Sequence, residues 1–544
     1  MSTLLVAISA KNIHKALAPW CIKAYCEKQE PGLVIDILEC SINDRISDIL
    51  ASIYHCQADI VAFSCYLWNI ELITKVAPAL KALLPHCTIV LGGPELAEVE
   101  SHDFPWADYI IQGPGECAFH TLLINLRRRG PAGPRLIKGE NFCVWSELPS
   151  PYTVDYFTSF ADSKMLSIAN QLVYYESSRG CPFSCAFCLS SASSGVEYLP
   201  LERVKQDLQR LLEAGAECIK FVDRTFNANR ARAHAILEYI KALDTACVFH
   251  FEVAADLFDN DLLDLIATMP HGRVQFELGI QSTHSLTLQA VSRQTDTAKS
   301  LAHITTLTAM QNCRIHVDLI AGLPYDTLET IARALDQCLE CRPHILQLGF
   351  LKCLKGSKMP SIARELGYSF CPYPPYEVLH SNSLSFAELV ELKAVEVMVD
   401  KFYNSAMFKN TLAYAGAELF DSTYTLFRDL SRYANTGGDF KLSLKHAYTL
   451  LKNFLSQYAD RPVVEHYIKL DCLTYDPKGQ LPDDITFSRD KARELEVKKQ
   501  SKAQTTPYNK VRVEYFPFDG RYRLFIYDER DPLTKAYRVI TLES

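Results

Sequence analysis

The amino-acid sequence predicts an α/β protein with two successive parallel sheets, a helical region and a small antiparallel sheet at the end. Three observations favour this fold class. Short runs rich in Val, Ile and Leu alternate with helical patterns in two zones, the alternation stops near residue 376, and alternating strands close the chain. Continuous apolar runs separated by helices are typical of parallel strands that are covered on both faces.

The first zone, residues 1–130, contains five apolar runs, namely LLVAIS, LVIDILEC, DIVAFSCY, TIVLGGP and YIIQGPGE. We expect these runs to form a doubly wound open sheet, because helical patterns lie between them. Residues 131–170 include the Pro-rich stretch SELPSPYTV and are predicted to form a linker.

The second zone, residues 171–375, contains six further strand candidates: LVYYES, CIKFVD, VFHFEVA, RVQFELGI, RIHVDLIAGLP and ILQLGFLKCL. Helical patterns such as LERVKQDLQRLLEAGA separate them. Because strand–helix–strand crossovers are right-handed, six repeats predict a closed or partial barrel of βα units.

The remaining chain is predicted to be helical and then antiparallel. Residues 376–487 contain amphipathic patterns such as FAELVELKAVEVMVDKFYN, and residues 488–504 form a polar linker or exposed helix. Residues 505–544 contain the alternating runs KVRVEYF, YRLFIYD and AYRVITL, with a turn at Asp519-Gly520. These features predict a small antiparallel sheet.

Composition and charge exclude several classes of protein. A hydrophobic content of 48% with 22% charged residues is typical of a globular protein, and a net charge of −8 does not favour a nucleic-acid partner. No stretch reaches the roughly 18 to 20 apolar residues of a membrane helix, and the start is not typical of a signal peptide. The 19 cysteines follow no repeating framework, which favours a reducing cytoplasm.

Three cysteines, Cys181, Cys185 and Cys188, lie close together directly after the first strand of the second zone. In barrels, the loops after the strands hold the active site. Three thiols leave one over after a disulfide, whereas three thiolates can hold three irons of a four-iron cluster and leave the fourth open. A closed zinc site needs a fourth ligand, and up to Val222 only Cys218 is available, inside a predicted strand.

The spacing C-x3-C-x2-C, with Phe187 before the last cysteine, resembles the radical SAM superfamily. The stretches ELGIQS (277–282) and DLIAGLP (318–324) are also familiar from that superfamily. The resemblance implies a 4Fe-4S cluster whose open iron binds the amino and carboxylate groups of S-adenosylmethionine (SAM). Reductive cleavage of SAM in that superfamily usually yields a 5′-deoxyadenosyl radical.

An N-terminal sheet ending in VLGGPE and IIQGPGE, followed by such a barrel, is similar to the cobalamin-binding radical SAM proteins. FVDRTFNAN, GFLKCLKGSKM, PPYEVL and FYNSAMF resemble a subgroup with an uncharacterised C-terminal domain. The resemblance implies a flavodoxin-like N-terminal sheet that binds cobalamin at its carboxyl edge, where glycines let the backbone approach a large ligand. The loops implied to pass the nucleotide tail contain Ser64, Gly92, Gly93, Gly113, Gly115 and Glu116.

Two departures from the family pattern concern cobalamin. The motif D-x-H-x-x-G, which supplies a histidine to cobalt in classical cobalamin enzymes, is absent from the sequence. His14 is the histidine nearest the first strand, but a lone histidine there is more often a loop or capping residue. The family commonly reads Gly-Glu-Gly-Glu where this chain has GPGE, with Pro114 tightening the turn. A sheet that lost its cofactor and only packs on the barrel is the alternative interpretation.

The resemblance also implies residues that contact SAM. Arg293 stands where the family often has an arginine that holds the SAM carboxylate, a task that suits a planar guanidinium. Its alternative is an exposed helix arginine. Asp223 and Arg224, in DRTFN, either face the substrate or pair with each other. The other implied SAM residues lie at the barrel rim: Phe187, Glu252, Gln281 and Ser282.

These interpretations predict a cobalamin-dependent radical SAM enzyme that methylates an unactivated carbon or a phosphinate. A cobalamin-dependent rearrangement or cyclisation enzyme is the first alternative, and a cluster-binding assembly protein without catalysis is the second. The expected partners are a small-molecule or peptide substrate and a reducing electron donor such as flavodoxin or ferredoxin, with no membrane. We expect the protein in the cytoplasm.

Overall fold

The computed structural model describes residues 1–128, 133–139, 144–162, 167–192, 195–435, 442–502 and 507–542. The stretches predicted as linkers lie partly outside the described residues, at 131–132, 140–143, 163–166 and 503–504. Within the described ranges, no helix combines the length and the apolar character needed to cross a membrane.

The N-terminal part is a parallel sheet of six strands in the order β2-β1-β3-β4-β5-β6. Its strands are β1 (Ser2–Ser9), β2 (Val34–Ser41), β3 (Ile60–Ser64), β4 (Thr88–Gly92), β5 (Tyr109–Gln112) and β6 (Leu136–Lys138). The order reverses at β1, which is the position where doubly wound sheets bind ligands. The predicted doubly wound sheet is therefore confirmed.

Helices cover both faces of this sheet. They are α1 (Ala18–Gln29), α2 (Ile46–Cys56), α3 (Ile70–Leu83) and α4 (Gly115–Arg127). Helices α1 and α4 pack together, as do α2 and α3. Leu5 of β1 lies in one core with α1 and α4, whereas its neighbours Leu4 and Val6 lie in the other core. The apolar runs of the sequence are continuous because alternate residues enter two different cores.

The predicted linker contributes two elements that the sequence pattern did not indicate. Edge strand β6 pairs in parallel with β5, and helix α5 (Val154–Asp162) precedes the second sheet. The three residues of β6 are too few for a recognisable periodicity.

The second sheet contains all six predicted strands, parallel and in the order β14-β13-β12-β11-β10-β7. They are β7 (Leu172–Tyr175), β10 (Cys218–Phe221), β11 (Val248–Val253), β12 (Val274–Gln281), β13 (Arg314–Ala321) and β14 (Ile345–Phe350). Because β14 and β7 are both edges, the sheet is a partial barrel, and this confirms the predicted (β/α)6 architecture. A short hairpin of β8 (Ser178–Gly180) and β9 (Val196–Tyr198) follows β7.

Helices connect the barrel strands, in agreement with the helical patterns in the sequence. They are α6 (Leu201–Glu213), α7 (Arg230–Ala242), α8 (Asn260–Ala267), α9 (Ser285–Ala290), α10 (Thr297–Ala309) and α11 (Leu328–Glu340). Helix α11 begins with a capping box formed by Thr327 and Thr330, which satisfies backbone donors of its first turn.

The C-terminal part is helical and ends in a three-stranded antiparallel sheet, as predicted. It begins with α12 (Met359–Glu365) and the hairpin of β15 (Ser369–Phe370) and β16 (Val378–His380). The following helices are α13 (Phe386–Met398), α14 (Lys409–Glu418), α15 (Thr423–Ala434), α16 (Leu444–Leu455), α17 (Arg461–Tyr475) and α18 (Lys491–Lys502). The terminal strands are β17 (Val511–Phe516), β18 (Arg521–Arg530) and β19 (Tyr537–Leu542).

The loop after β1 joins the N-terminal sheet to the barrel. Lys15 is 1% exposed, and its ammonium pairs with Glu39 of β2 and donates to Ser159 Oγ of α5 at 2.8 Å. The same ammonium lies over three aromatic rings, which stabilises a buried cation; these rings belong to Trp20, Tyr156 and Phe160.

His14 makes a second tie between the two sheets. It forms a parallel bridge with Leu172, and its Nδ1 lies 2.8 Å from the Tyr174 hydroxyl of β7. The histidine considered for cobalt ligation is thus hydrogen-bonded to the first barrel strand.

Candidate cofactor and substrate site

The three cysteines lie on one folded loop after β8, at the carboxyl end of the first barrel strand. Cys185 is buried, whereas Cys181 and Cys188 are partly exposed. The backbone N–H of Ala186 donates to Val291 O at 2.8 Å, and the N–H of Cys188 donates to Cys185 O at 3.0 Å. The first bond holds the loop against the segment that follows α9, and the second folds the loop on itself.

Asp223, directly after β10, fixes the start of this loop. Its carboxylate accepts hydrogen bonds from the N–H of Ser177 at 2.7 Å, the N–H of Ser178 at 3.0 Å and the Ser177 hydroxyl. Burial raises the pKa of Asp223 to about 6, although these hydrogen bonds oppose the rise. The Asp223 carboxylate is therefore occupied by hydrogen bonds to the chain before the cysteines. Two residues further on, the Thr225 hydroxyl lies 3.5 Å from Cys181 Sγ.

The cysteine sulfurs are not arranged like the ligands of a single ion. A tetrahedral zinc with Zn–S bonds of about 2.3 Å holds its sulfurs about 3.8 Å apart. In the described part of the chain, Glu277, His316 and Asp318 form the one His/Cys/Asp/Glu group whose ligand atoms lie within 4.8 Å of one another. The cysteine set is more open and offers three thiols, which fits a cluster with one free iron.

Arg293 reaches the cysteine loop. Its Nη1 lies 3.7 Å from Cys185 Sγ, and its Nη2 donates to Gly279 O at 2.6 Å. Its Nε is buried without a hydrogen-bond partner. The guanidinium is therefore half-buried beside the thiols rather than on an exposed helix.

The other rim residues have different environments. Glu252, near the end of β11, lies 3.4 Å from Lys220 Nζ, and burial raises its pKa. Gln281 ends β12 in the left-handed region, with φ of 69°, at a β-bulge. The buried Ser282 donates its hydroxyl to Asp326 Oδ1 at 3.1 Å, so that group is already used. Phe187 packs against the barrel core.

Alternate residues of the barrel strands form a polar lumen that sequence reasoning missed. Lys220 Nζ and His250 Nε2 each lie 2.9 Å from Glu277 Oε2, and His316 Nε2 lies 3.1 Å from Asp318 Oδ1. Burial would raise the pKa of Glu277, but the adjacent His250 ring and the Lys220 ammonium lower it to about 2. The sequence does contain a pattern that predicts this lumen, because polar residues alternate with apolar ones in the runs HFEV, QFEL and RIHVD.

The loops after β3 and β4 form one unit at the carboxyl edge of the N-terminal sheet. The N–H of Cys65 donates to Gly92 O at 2.7 Å, and the N–H of Glu95 donates to Cys65 O at 3.3 Å. Gly93 has φ of 124°, and a Cβ there would lie 2.4 Å from Cys65 O. A Cβ on Gly92 would meet nothing within 4 Å, so Gly92, beside Ser64, borders open space.

The same edge carries a flat apolar surface in the loop after β3. The rings of Tyr66 and Trp68 stack with their centroids 4.4 Å apart, and Trp68 is 48% exposed. The sequence pattern gave no reason to select this pair.

The loop after β5 is shaped by close backbone packing. Gly113 has φ of 86°, and a Cβ there would lie 2.8 Å from Gly139 O. Gly115 begins α4 against the side chain of Ile22. The buried Glu116 pairs with Arg179 at 3.0 Å, and Arg179 also pairs with Glu176 at 2.8 Å. Glu116 is thus tied to the strand that enters the cysteine loop.

The loop after β4 and the cysteine loop meet at Gly356, which follows β14. A Cβ on Gly356 would lie 2.6 Å from Ala97 Cβ of the loop after β4 and 3.7 Å from Leu189 Cδ2 of the cysteine loop. The carboxyl edge of the N-terminal sheet therefore faces the carboxyl edge of the barrel.

Three protein-family models match consecutive parts of the chain. The B12 binding domain matches residues 3–123, the radical SAM superfamily matches 175–338, and a protein family of unknown function, DUF4080, matches 364–519. The first two imply cobalamin, a 4Fe-4S cluster and SAM, and they identify a radical SAM enzyme.

Two curated relatives are similar over long stretches. The chain is 23% identical to the 2-(S-pantetheinyl)-carbapenam-3-carboxylate methyltransferase of Streptantibioticus cattleyicolor, over 80% of this chain and 68% of the relative. It is 25% identical to the cobalamin-dependent radical SAM methyltransferase TokK of Streptomyces tokunonensis, over 54% of this chain and 47% of the relative. The chain thus spans about two thirds of the first relative and about half of the second.

Solved structures share the fold. The cobalamin-dependent SAM radical enzyme OxsB, with aqua-cobalamin bound, superimposes with a TM-score of 0.60 at 13% identity, covering 94% of this chain and 82% of that one. The radical SAM methyltransferase TsrM from Kitasatospora setae, with cobalamin and a 4Fe-4S cluster bound, gives 0.53 at 15% identity, covering 68% and 76%. The B12 binding and radical SAM matches coincide with the first and the second sheet. The chain therefore belongs to the cobalamin-binding radical SAM proteins, in the subgroup that carries a DUF4080 domain.

Proposed function

We propose that this protein is a cobalamin-dependent methyltransferase that methylates an unactivated carbon of a polar substrate. The observation that carries the proposal is the convergence at Gly356, where the loop after β4 and the cysteine loop contact the same residue. Group transfer between two cofactors requires that their sites open into one space. The methyltransferase names of both curated relatives support the same reaction class.

The cofactors supply the difficult chemistry, and the chain supplies positions for them. When bound, the cluster delivers the electron that cleaves SAM, and cobalamin carries the methyl group. We assign Cys181, Cys185 and Cys188 as cluster ligands, because their open arrangement suits a cluster better than a single ion. Asp223 positions this loop by holding the backbone of Ser177.

We assign SAM to the rim beside the cysteines. Arg293 would bind the SAM carboxylate, since its guanidinium lies next to Cys185 and has an unpartnered N–H. Glu252 would accept hydrogen bonds from the ribose hydroxyls of SAM, and the Gln281 amide would form hydrogen bonds at the same rim. Phe187 supports the cysteine loop from the barrel core. Ser282 would act through Asp326, by holding the turn after β12.

We assign cobalamin to the carboxyl edge of the N-terminal sheet. Ser64 and Gly92 border the open space, whereas Gly93, Gly113 and Gly115 shape the loops by close packing. Glu116 would contribute by holding Arg179. No protein imidazole is proposed for cobalt, because His14 is engaged with Tyr174.

The lumen indicates the kind of substrate. Lys220, His250, Glu277, His316 and Asp318 line it with charge, so desolvating them for an apolar ligand would be costly. A small polar molecule or a peptide side chain can instead exchange hydrogen bonds with these groups. We propose a flavodoxin- or ferredoxin-like electron donor, since the cluster needs a low-potential reductant. We also propose a cytoplasmic location.

The first prediction concerns the reaction. Protein reconstituted anaerobically with iron, sulfide and hydroxocobalamin, and supplied with a low-potential reductant and methyl-deuterated SAM, should form 5′-deoxyadenosine and transfer the labelled methyl group to a polar metabolite or peptide. Mass spectrometry of candidate substrates measures both products. The matched control replaces Cys181, Cys185 and Cys188 together with Ala and should form neither. A product that is rearranged or cyclised without a label would contradict methyl transfer, and no SAM cleavage would favour an assembly protein.

The second prediction concerns Arg293. Arg293→Met keeps an unbranched apolar stem but loses the planar charged fork, so SAM binding should weaken by about 1.5–3 kcal/mol, the scale of a hydrogen bond to a charged group. Calorimetric titration of the cluster-loaded protein measures the change, with iron content unaltered. Arg333→Met is the control, because Arg333 lies exposed on α11 beside Glu329. Equal SAM affinity in both variants would remove Arg293 from the SAM site.

The third prediction concerns the cobalamin edge. Gly92→Val places a branched side chain into the open space beside Ser64 and should abolish cobalamin binding while SAM cleavage continues. Gly93→Val is unsuitable, because its Cβ would meet the Cys65 backbone and disturb the loop itself. The exposed Gly416→Val on α14 is the control, since a Cβ there meets nothing. Unchanged cobalamin absorbance in a titration of Gly92→Val would place the cofactor elsewhere.

A further inference from the structure

The start of the C-terminal part returns to the barrel and pairs with the chain that leaves β14. The N–H of Val378 donates to Leu351 O at 2.9 Å, and the N–H of Cys353 donates to Tyr376 O at 2.9 Å. Lys352 and Glu377 form an antiparallel bridge. The segment PPYEVL, which carries part of the family resemblance, is therefore fastened to the free edge of the barrel.

Tyr376 extends from this segment to the N-terminal sheet. The side chain is 4% exposed, and its hydroxyl donates a hydrogen bond to the carboxylate of Glu95. Lys355 Nζ, from the loop after β14, lies 5.2 Å from the centroid of the Tyr376 ring. The N-terminal sheet, the loop after β14 and the segment before β16 thus meet at one buried phenol.

Glu95 transmits this contact to the loops assigned to cobalamin. The residue is 7% exposed and belongs to the Gly-Gly-Pro-Glu turn after β4. Its N–H donates to Cys65 O, and the N–H of Cys65 donates to Gly92 O. Since Gly93 also packs on the Cys65 backbone, the loops after β3 and β4 move together with Glu95.

A buried carboxylate needs its donor. Burial raises the pKa of Glu95, while the Tyr376 hydrogen bond and the Lys355 charge lower it. Removal of the phenol hydroxyl leaves a desolvated carboxylate without its nearest donor, which is more costly than the loss of an exposed hydrogen bond. We expect Glu95, and with it the turn after β4, to relax toward water when this donor is removed.

We propose that Tyr376 is a positioning residue of the cobalamin site, through which the C-terminal domain holds the turn of Gly92 and Gly93 against the barrel. The inference rests on the proposed function and gives this domain a role in it. Tyr376 acts through Glu95 and does not touch the reacting groups.

The test compares Tyr376→Phe with Tyr373→Phe in the full chain after anaerobic cluster reconstitution. Tyr373 precedes β16 in the same hairpin but is 58% exposed, so its hydroxyl is the matched control. Visible-absorption titration with hydroxocobalamin measures affinity. We expect binding weakened about fivefold or more in Tyr376→Phe, the effect of one buried hydrogen bond, and unchanged in Tyr373→Phe. Iron content and SAM affinity should match the wild type in both.

Further outcomes separate positioning from general stability. Glu95→Gln combined with Tyr376→Phe should bind cobalamin no more weakly than the weaker single variant, because both changes remove one interaction. Equal cobalamin affinity in Tyr376→Phe and the wild type would overturn the proposal, as would joint loss of the cluster and cobalamin. Failure of the wild-type chain itself to bind cobalamin would overturn the proposed function, and this role with it.

Discussion

The ion pair between Arg179 and Glu116 joins the two carboxyl edges on which the site depends. Arg179 lies on β8, the strand that enters the cysteine loop, and Glu116 lies in the first turn of α4, at the edge of the N-terminal sheet. Because Glu116 is buried, loss of the Arg179 guanidinium while the sheets stay packed would leave its carboxylate desolvated and unpaired, which is strongly unfavourable. Glu176, three residues before Arg179 in the chain, shares the same guanidinium.

Much of the fold could be predicted because its strands are buried on both faces and its helices separate them. Strand β6 could not, since three residues carry no periodicity. The cysteine loop was predictable because three thiols in eight residues need a chemical reason. Gly93 illustrates a limit of this reasoning. A glycine that a ligand approaches and a glycine that packs on Cys65 look the same in sequence, since both need a position without a Cβ.

Long-range contacts account for the rest of what the sequence could not predict. Tyr376 and Glu95 are 281 residues apart, so no local pattern connects them. The resemblance implies both Ser282 and Arg293 as SAM contacts, yet the Ser282 hydroxyl is taken by Asp326, whereas the Arg293 side chain reaches Cys185. The lumen could be predicted only by considering each strand residue separately, because its charges are single residues in strands whose other face is apolar.

The charges in the lumen also define its state near neutral pH. Glu277 remains ionised because its pKa lies at about 2, and burial lowers the pKa of His250 so that the neutral ring is favoured. Relative to an ordinary glutamate, the ionised Glu277 stabilises the fold at neutral pH, and this contribution is lost as the pH falls through its folded pKa. A fixed pattern of donors and acceptors is a suitable surface for orienting one polar substrate.

We propose that the cobalamin edge and the cysteine loop open into one space. Electron paramagnetic resonance of protein that contains both cob(II)alamin and the reduced cluster tests this arrangement, because two nearby paramagnetic centres couple through space. Each signal should broaden when the other centre is present, and the broadening should disappear in the triple Ala variant of Cys181, Cys185 and Cys188. Two signals that simply add, with both cofactors bound to one chain, would contradict it.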